Sequence, residues 1–157
     1  MIIKGLRDED FCQYKNAAMF IIFPYCSWKC ERECGERVCH NGTLAYAPDI
    51  SVNVENIVKR YLGNPITKSI CCGGLEPLDS YDDLLELISC LREHCQDDVV
   101  IYTGYNKDEI LDKIETLKQF SNIIIKYGRF IPGQQSHFDE VLQVELASSN
   151  QYAEKIS

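Results

Sequence analysis

The sequence predicts a single α/β domain built around a mostly parallel sheet. Short apolar runs alternate with amphipathic stretches of helical period, and strand–helix–strand units of this kind build parallel sheets through crossover connections. The chain has 157 residues, enough for one domain with a substantial core. Loops rich in cysteine or glycine follow three of the apolar runs, where α/β folds usually place their ligands. We therefore expect residues 1–157 to form one domain.

The predicted strands are short runs of apolar and β-branched residues bounded by turn residues. They cover residues 18–23, 67–72, 98–102 and 122–127, with a further candidate at 141–146. The first of them leads directly into a cysteine-rich loop that extends to about Pro48.

The predicted helices lie near 54–62, after Ser80, and near 107–120. Each begins at a residue that can cap it: Ser51 or Asn53 for the first, Ser80 with Asp83 at the reciprocal position for the second, and Asn106 for the third. Their apolar stripes predict the inward-facing residues. These are Val54, Ile57, Val58, Tyr61, Leu62, Tyr81, Leu84, Leu85, Leu87, Ile88, Leu91, Ile110, Leu111, Ile114 and Leu117.

Composition narrows the classes of function. The formal net charge is −8 and no segment forms a basic stripe, so a nucleic-acid partner is not expected. No apolar run approaches the roughly 20 residues of a membrane span, and the N-terminal residues lack the order of a signal peptide. We therefore expect a cytoplasmic protein with no membrane partner. A disulfide framework is not expected for two reasons. The cytosol keeps thiols reduced, and nine cysteines cannot all form pairs within the chain.

Four cysteines are gathered on the loop after the first strand: Cys26, Cys30, Cys34 and Cys39. A [4Fe–4S] cluster takes four ligands, usually thiolates, and has one open iron where the protein supplies three. Structural zinc would use all four cysteines. The loop alone is compatible with a cluster, with zinc, or with cysteines that bind no metal. The remaining cysteines are interpreted as small core residues or are left unassigned.

Two further loops follow predicted strands. Gly73 and Gly74 would let a ligand approach the backbone closely, and Glu76 on the same turn could accept a hydrogen bond from an ammonium group. The alternative is a plain strand-to-helix turn. The third loop contains Thr103 and Gly104. Because the carboxyl ends of parallel strands meet at one edge of a sheet, the three loops predict one composite site.

Together these motifs resemble the small radical S-adenosylmethionine activases. The resemblance rests on the cysteine loop, the glycine turn at 73–77 and the segment 101–105, and it continues through 126–130 and 149–151. It covers nearly the whole chain in order and is strongest to the activases of anaerobic (class III) ribonucleotide reductases. It implies a partial (β/α) barrel of the radical S-adenosylmethionine type.

The cysteine spacing departs from the family pattern, in which three and then two residues separate the ligands. Cys26 and Cys30 fit that pattern, whereas Cys34 comes one residue late. Cys39 comes much later, but its following residues match the family's ending. The resemblance therefore implies that Cys26, Cys30 and Cys39 are the cluster ligands, with 31–38 as an insertion and Cys34 as the alternative third ligand.

Two other positions differ from the family. Val38 stands where an aromatic residue usually precedes the third cysteine and contacts adenine, and Leu75 is an additional residue in the glycine turn. An adenine contact from position 38 is therefore not expected.

The resemblance also implies the chemistry. Three thiolates would hold a [4Fe–4S] cluster, whose open iron would chelate the amino and carboxylate groups of S-adenosylmethionine. An electron from a low-potential donor would split the sulfonium and give a 5′-deoxyadenosyl radical, which would take hydrogen from a glycine of a partner glycyl-radical enzyme, the large subunit of anaerobic ribonucleotide reductase. The implied cofactor contacts are Gly73, Gly74 and Glu76 at the methionyl ammonium, with Thr103, Gly104 and Asn150 along the rest of the molecule.

Two alternatives remain at this point. A radical S-adenosylmethionine enzyme could act on a small molecule or a peptide, and a zinc-binding interaction module would have no catalytic function. Iron and sulfide content separates the zinc module from both enzymes, and a neighbouring gene for a large glycyl-radical reductase would favour the activase over the other enzyme.

Overall fold

The computed structural model describes all of residues 1–157. It contains ten strands: β1 Ile2–Ile3, β2 Gly5–Asp10, β3 Ala18–Phe23, β4 Ile50–Ser51, β5 Ser69–Gly74, β6 Asp98–Tyr102, β7 Ile123–Tyr127, β8 His137–Asp139, β9 Val144–Leu146 and β10 Tyr152–Lys155. The four α-helices are α1 Lys29–Cys34, α2 Val54–Leu62, α3 Tyr81–Arg92 and α4 Leu111–Leu117. None of the helices has the length and apolar character to cross a membrane.

Six strands form the central sheet in the order β10-β7-β6-β5-β3-β2. The four inner strands are parallel, as the sequence predicted, and the two outer strands run antiparallel to their neighbours. The sheet is open, with an outer strand at each side, and no closed barrel is formed. The α/β class and the mostly parallel sheet are therefore confirmed.

The side chains of the inner strands alternate between two faces. One face packs against α2, α3 and α4 and forms the larger apolar core. The other face packs against the loop at Tyr14 and the hairpin of β8 and β9, through Leu142 and Leu146. The carboxyl ends of the parallel strands stay clear of both layers, and the cysteine loop lies there.

Several local predictions were wrong. The second strand begins two residues later than expected and includes Gly73 and Gly74. The helix expected at 107–120 divides into a 3₁₀ turn at Lys107–Glu109 and helix α4, with Ile110 between them. Edge strands β2 and β10, and helix α1 inside the cysteine loop, were not predicted at all.

Two predicted features of the helices also differ. Asn53 caps α2 as expected, but Ser80 makes no capping hydrogen bond at α3, and Asp83 instead accepts the backbone N–H of Ile2 at 3.1 Å. A 3₁₀ turn at Pro77–Ser80 leads directly into α3, so the helix does not begin at Ser80 with free backbone N–H groups that this side chain could cap. Two residues placed inward by their spacing, Leu62 and Leu111, are 46% and 56% exposed.

Gly74 is required by the backbone at the end of β5. Its φ is +85°, and an added Cβ would lie 2.5 Å from the Ile22 side chain. We expect Gly74→Ala to lower the free energy of unfolding by about 3 kcal/mol, the sum of a left-handed conformation and a steric overlap. Gly133→Ala is the matched control, because Gly133 has φ +79° but nothing within 4 Å of an added Cβ. Urea unfolding should show a cost of only about 1 kcal/mol there; equal costs would contradict the steric argument.

Candidate functional site

A cavity of about 430 Å³ lies at the carboxyl ends of the parallel strands. Its volume falls within the range of small-molecule sites. The lining includes residues from every loop that the sequence predicted to converge: Cys30, Cys39, Gly74, Thr103 and Gly104. Other lining residues come from β2, β7 and the C-terminal segment. The structure thus brings three sequence-distant motifs to one cavity.

The cysteines differ in their relation to this cavity. Cys30 and Cys39 line it, whereas Cys26 and Cys34 are not among its lining residues. Charge at Cys30 raises the pKa of Cys26, and charge at Cys39 raises the pKa of Cys30, so the three sulfurs are neighbours in this order. Burial raises the pKa of the Cys26 thiol to about 12 in the metal-free protein. The choice of Cys39 over Cys34 as the third ligand stays a prediction, which the position of Cys39 in the cavity wall supports.

The turn between Cys26 and Cys30 has a specific backbone conformation. Trp28 adopts the left-handed region with φ 57°, which is unusual for a residue with a side chain. This conformation directs its backbone N–H to the Cys26 sulfur at 3.3 Å and starts helix α1 at Lys29. The chain before it is held by Asp79, which accepts the backbone N–H of Ser27. The positions of both sulfurs are thus fixed by the backbone.

Glu76 is 5% exposed and joins two of the converging loops. One carboxylate oxygen accepts the N–H of Leu78 at 3.1 Å, and the other accepts the N–H of Gly104 at 2.8 Å. Burial raises the pKa of Glu76 to about 7, although these backbone hydrogen bonds act in the opposite direction. Glu76 does not line the cavity itself; it lies directly behind Gly104, which does.

Gly104 keeps the space beside Cys30 open. A Cβ at this position would lie 3.3 Å from the Cys30 sulfur. Its neighbour Thr103 is buried, and the Thr103 hydroxyl accepts the N–H of Tyr105 at 3.0 Å. Because Gly104 has no side chain, the space next to the Cys30 sulfur can hold a group larger than a thiol.

Asn150 lies outside the cavity wall. Its amide donates to the Arg129 carbonyl at 2.9 Å, and its carbonyl oxygen is buried with no hydrogen-bond partner. The adjoining residues Gly128 and Gln151 do line the cavity. The expected cofactor contacts all stay predictions, those of Gly74, Thr103 and Gly104 in the cavity wall as well as those of Gly73, Glu76 and Asn150 outside it.

Sequence reasoning assigned no role to three residues of the cavity wall. Lys126 is 7% exposed, and its ammonium group donates to the Gly128 carbonyl at 3.0 Å. Burial lowers the pKa of Lys126 to about 8, while the charges of Glu76 and Cys30 favour its protonated form. The sequence does contain a signal for Lys126, since it is a lysine within an otherwise apolar strand. A buried ammonium group needs a charged or polar partner, and this points to a site nearby.

The other two residues form an aromatic surface. His40 and Phe130 pack with ring centroids 4.3 Å apart, and both line the cavity close to Cys39. Position 38 carries no aromatic ring, so this pair is the aromatic surface beside the third candidate ligand. No sequence pattern connects residues 90 positions apart, and only the fold reveals the pair.

The arrangement of the cysteine thiols bears on whether the site suits a zinc ion or an iron–sulfur cluster. All nine cysteines are free thiols. No three Cys, His, Asp or Glu side chains stand close enough together to hold one metal ion. Tetrahedral zinc needs its sulfurs about 2.3 Å from a single centre, so no preformed zinc site exists here. In an iron–sulfur cube each thiolate binds its own iron, and the ligands stand further apart.

Three features fit an iron–sulfur cluster. Free cysteines border a cavity, Gly104 leaves the Cys30 sulfur accessible, and the backbone N–H of Trp28 points at the Cys26 sulfur. Hydrogen bonds of that kind to sulfur are among the interactions that tune such clusters. Cys26, Cys30 and Cys39 would hold the group.

Comparison with known proteins identifies the family. A family model described as a 4Fe-4S single cluster domain matches residues 17–153. No curated protein and no solved structure matches the chain significantly. The matched region includes all three candidate ligands, the glycine turn and the first two residues of β10. The chain therefore belongs to the family of 4Fe-4S single cluster domains.

Proposed function

We propose that this protein is an iron–sulfur activase that uses S-adenosylmethionine to place a radical on a glycine of a partner enzyme, and that its open sheet is a partial barrel of the radical S-adenosylmethionine type. The observation that carries the proposal is the cavity shared by Cys30, Cys39, Gly74, Thr103 and Gly104. A 4Fe-4S domain whose cysteines border a small-molecule cavity suits a cluster that works with a second ligand.

When bound, the cluster and S-adenosylmethionine supply the radical chemistry, and the chain's own residues orient them. The ammonium group of Lys126 faces the cavity near Cys30 and suits the methionyl carboxylate. The carboxylate of Glu76, behind Gly104, suits the methionyl ammonium. His40 and Phe130 offer the aromatic surface for the purine, in place of the ring missing at Val38.

The partner would be a glycyl-radical enzyme, with anaerobic ribonucleotide reductase as the first candidate, and a low-potential protein would donate the electron. The open sheet supports this proposal, because a large partner can bring a glycine-bearing loop to a site that no closed barrel surrounds. The net charge of −8 gives no reason to invoke a nucleic acid.

The proposal is tested by reductive cleavage of S-adenosylmethionine. Protein reconstituted anaerobically with iron and sulfide, then reduced with dithionite, should release 5′-deoxyadenosine. A glycyl-radical signal should appear by electron paramagnetic resonance when a candidate reductase is added. Cleavage without a radical on any partner would favour the alternative of a small-molecule or peptide substrate. An intact cluster that never cleaves S-adenosylmethionine would contradict both enzymatic readings.

A further inference from the structure

A buried arginine lies against the helix that carries Cys30. Arg129 is 4% exposed and follows strand β7. Its guanidinium lies 2.6 Å from the Glu109 carboxylate and 3.0 Å from that of Glu33. The contact with Glu109 is a directed hydrogen bond, and the contact of Nε with Glu33 is an ion pair without hydrogen-bond geometry. Glu33 lies on helix α1, so Arg129 bridges the cysteine-bearing helix and the body of the domain.

The same helix has a second attachment to Glu109. Lys29, at the start of α1, places its ammonium group 2.9 Å from the Glu109 carboxylate and 4.4 Å from the centre of the Tyr105 ring. Glu109 is itself fixed, because its other oxygen accepts the backbone N–H of Asn106 at 2.8 Å. The hydrogen bond from Arg129 holds the pKa of Glu109 at about 2, so the carboxylate is ionised throughout the neutral range.

The segment around Arg129 also acts on Cys30 directly. Burial raises the pKa of the Cys30 thiol, whereas the backbone N–H of Phe130 and the charge of Arg129 favour its thiolate. Phe130, the residue after Arg129, lines the cavity together with Cys30, so the segment that carries Arg129 borders the same site.

We propose that Arg129 is a positioning residue that docks helix α1 onto the sheet and places a positive charge beside the bound cluster. The inference rests on the proposed role of Cys30 as a ligand, and it holds whether or not S-adenosylmethionine is the second ligand. A cation near the cluster favours the reduced, more negative state and raises the reduction potential. A docked helix holds the sulfur in place and slows loss of the cluster.

The experiment separates charge from docking with two substitutions. Arg129→Gln removes both, whereas Arg129→Lys keeps the charge but cannot reach two carboxylates with a planar fork. Each variant is reconstituted without S-adenosylmethionine. The midpoint potential is measured by redox titration of the paramagnetic signal, and iron loss is followed with a chelator. We expect a lower potential in Arg129→Gln alone, and iron loss several-fold faster in both variants.

Arg60→Gln is the matched control. Arg60 makes a two-pronged ion pair with Asp8 on the exposed surface, so its loss should change neither measurement. An unchanged potential and unchanged iron loss in Arg129→Gln would overturn the inference, and full rescue of both by Arg129→Lys would overturn the docking role. If Arg129→Gln fails to fold, Glu33→Gln replaces it, because the Glu33 side chain is 60% exposed. That variant should lose iron faster, and a wild-type rate would refute docking.

These measurements are independent of the proposed activity. Wild-type protein that holds a cluster but does not cleave S-adenosylmethionine would contradict the proposed function and leave the Arg129 result unaffected. Conversely, normal cleavage together with an unaltered Arg129→Gln cluster would contradict only the inference about Arg129.

Discussion

Cys39→Ala is expected to abolish iron loading, whereas Cys34→Ala is expected to load iron like the wild type. Cys39 borders the cavity with Cys30, and Cys34 does not. A site with three protein thiolates that loses one has two left, too few to retain a four-iron cube. Iron and acid-labile sulfide should fall from about four atoms of each per chain to well below one.

Both substitutions remove one thiol from the same loop, so each controls for the other. Cys34 ends helix α1, and alanine favours a helix, so folding should be unaffected there. Circular dichroism of the metal-free proteins checks that Cys39→Ala also folds. If Cys34→Ala loses iron and Cys39→Ala retains it, residues 31–38 are not an insertion and the ligand assignment is wrong. Loss in neither variant would remove both residues from the site.

The inner strands could be predicted because they are buried on both faces. Parallel strands with layers on each side read as nearly continuous apolar runs, and β3 and β7 do so. The edge strand β2 has the sequence Gly-Leu-Arg-Asp-Glu-Asp, with one apolar residue in six. Charged side chains on an edge strand prevent it from pairing with another molecule. Because β2 therefore lacks an apolar run, a search for such runs does not detect it.

The interior of the cysteine loop could not be predicted for a different reason. Helix α1 is six residues long and buries none of them, so it shows no apolar stripe. Its ion pairs to Glu109 and Arg129 join residues far apart in the sequence. Local propensity does not encode such contacts. The convergence of the loops was predictable, because it follows from strand direction alone.

Gly73 has a packing reason to be glycine that the motif alone does not indicate. The glycine pair was interpreted as an open approach for a ligand. In the structure an added Cβ at Gly73 would meet the Phe20 ring at 3.1 Å and the Tyr102 Cβ at 3.4 Å, and Gly73 is not among the cavity's lining residues. Packing within the sheet is thus sufficient reason for glycine there, and Gly74 is the member of the pair that borders the cavity.

Glu76→Gln is expected to weaken binding of S-adenosylmethionine about ten- to hundredfold while the cluster stays intact. A hydrogen bond to a charged group contributes roughly 1.5–3 kcal/mol, and each 1.4 kcal/mol is about tenfold in affinity. The substitution removes the negative charge behind Gly104 that the proposed function pairs with the methionyl ammonium. It also presents an amide to two backbone N–H donors, those of Leu78 and Gly104, so one of these hydrogen bonds is lost. Calorimetry on anaerobic, iron-replete protein gives the dissociation constant.

The pKa of Glu76 provides an internal check on this expectation. Burial raises that pKa to about 7, so the carboxylate is mostly ionised at pH 8 and mostly protonated at pH 6. Because an ammonium group binds the ionised form, the affinity of the wild type relative to that of Glu76→Gln should fall as the pH is lowered from 8 to 6. Protonation of Lys126, whose pKa is about 8, strengthens binding over the same range in both proteins, so the Glu76 contribution is given by the difference between them. Glu115→Gln removes an exposed carboxylate on α4 and should match the wild type at both pH values. Undiminished affinity of Glu76→Gln at pH 8, with a full complement of iron, would show that Glu76 does not recognise the ligand and serves only to join the loops at Leu78 and Gly104.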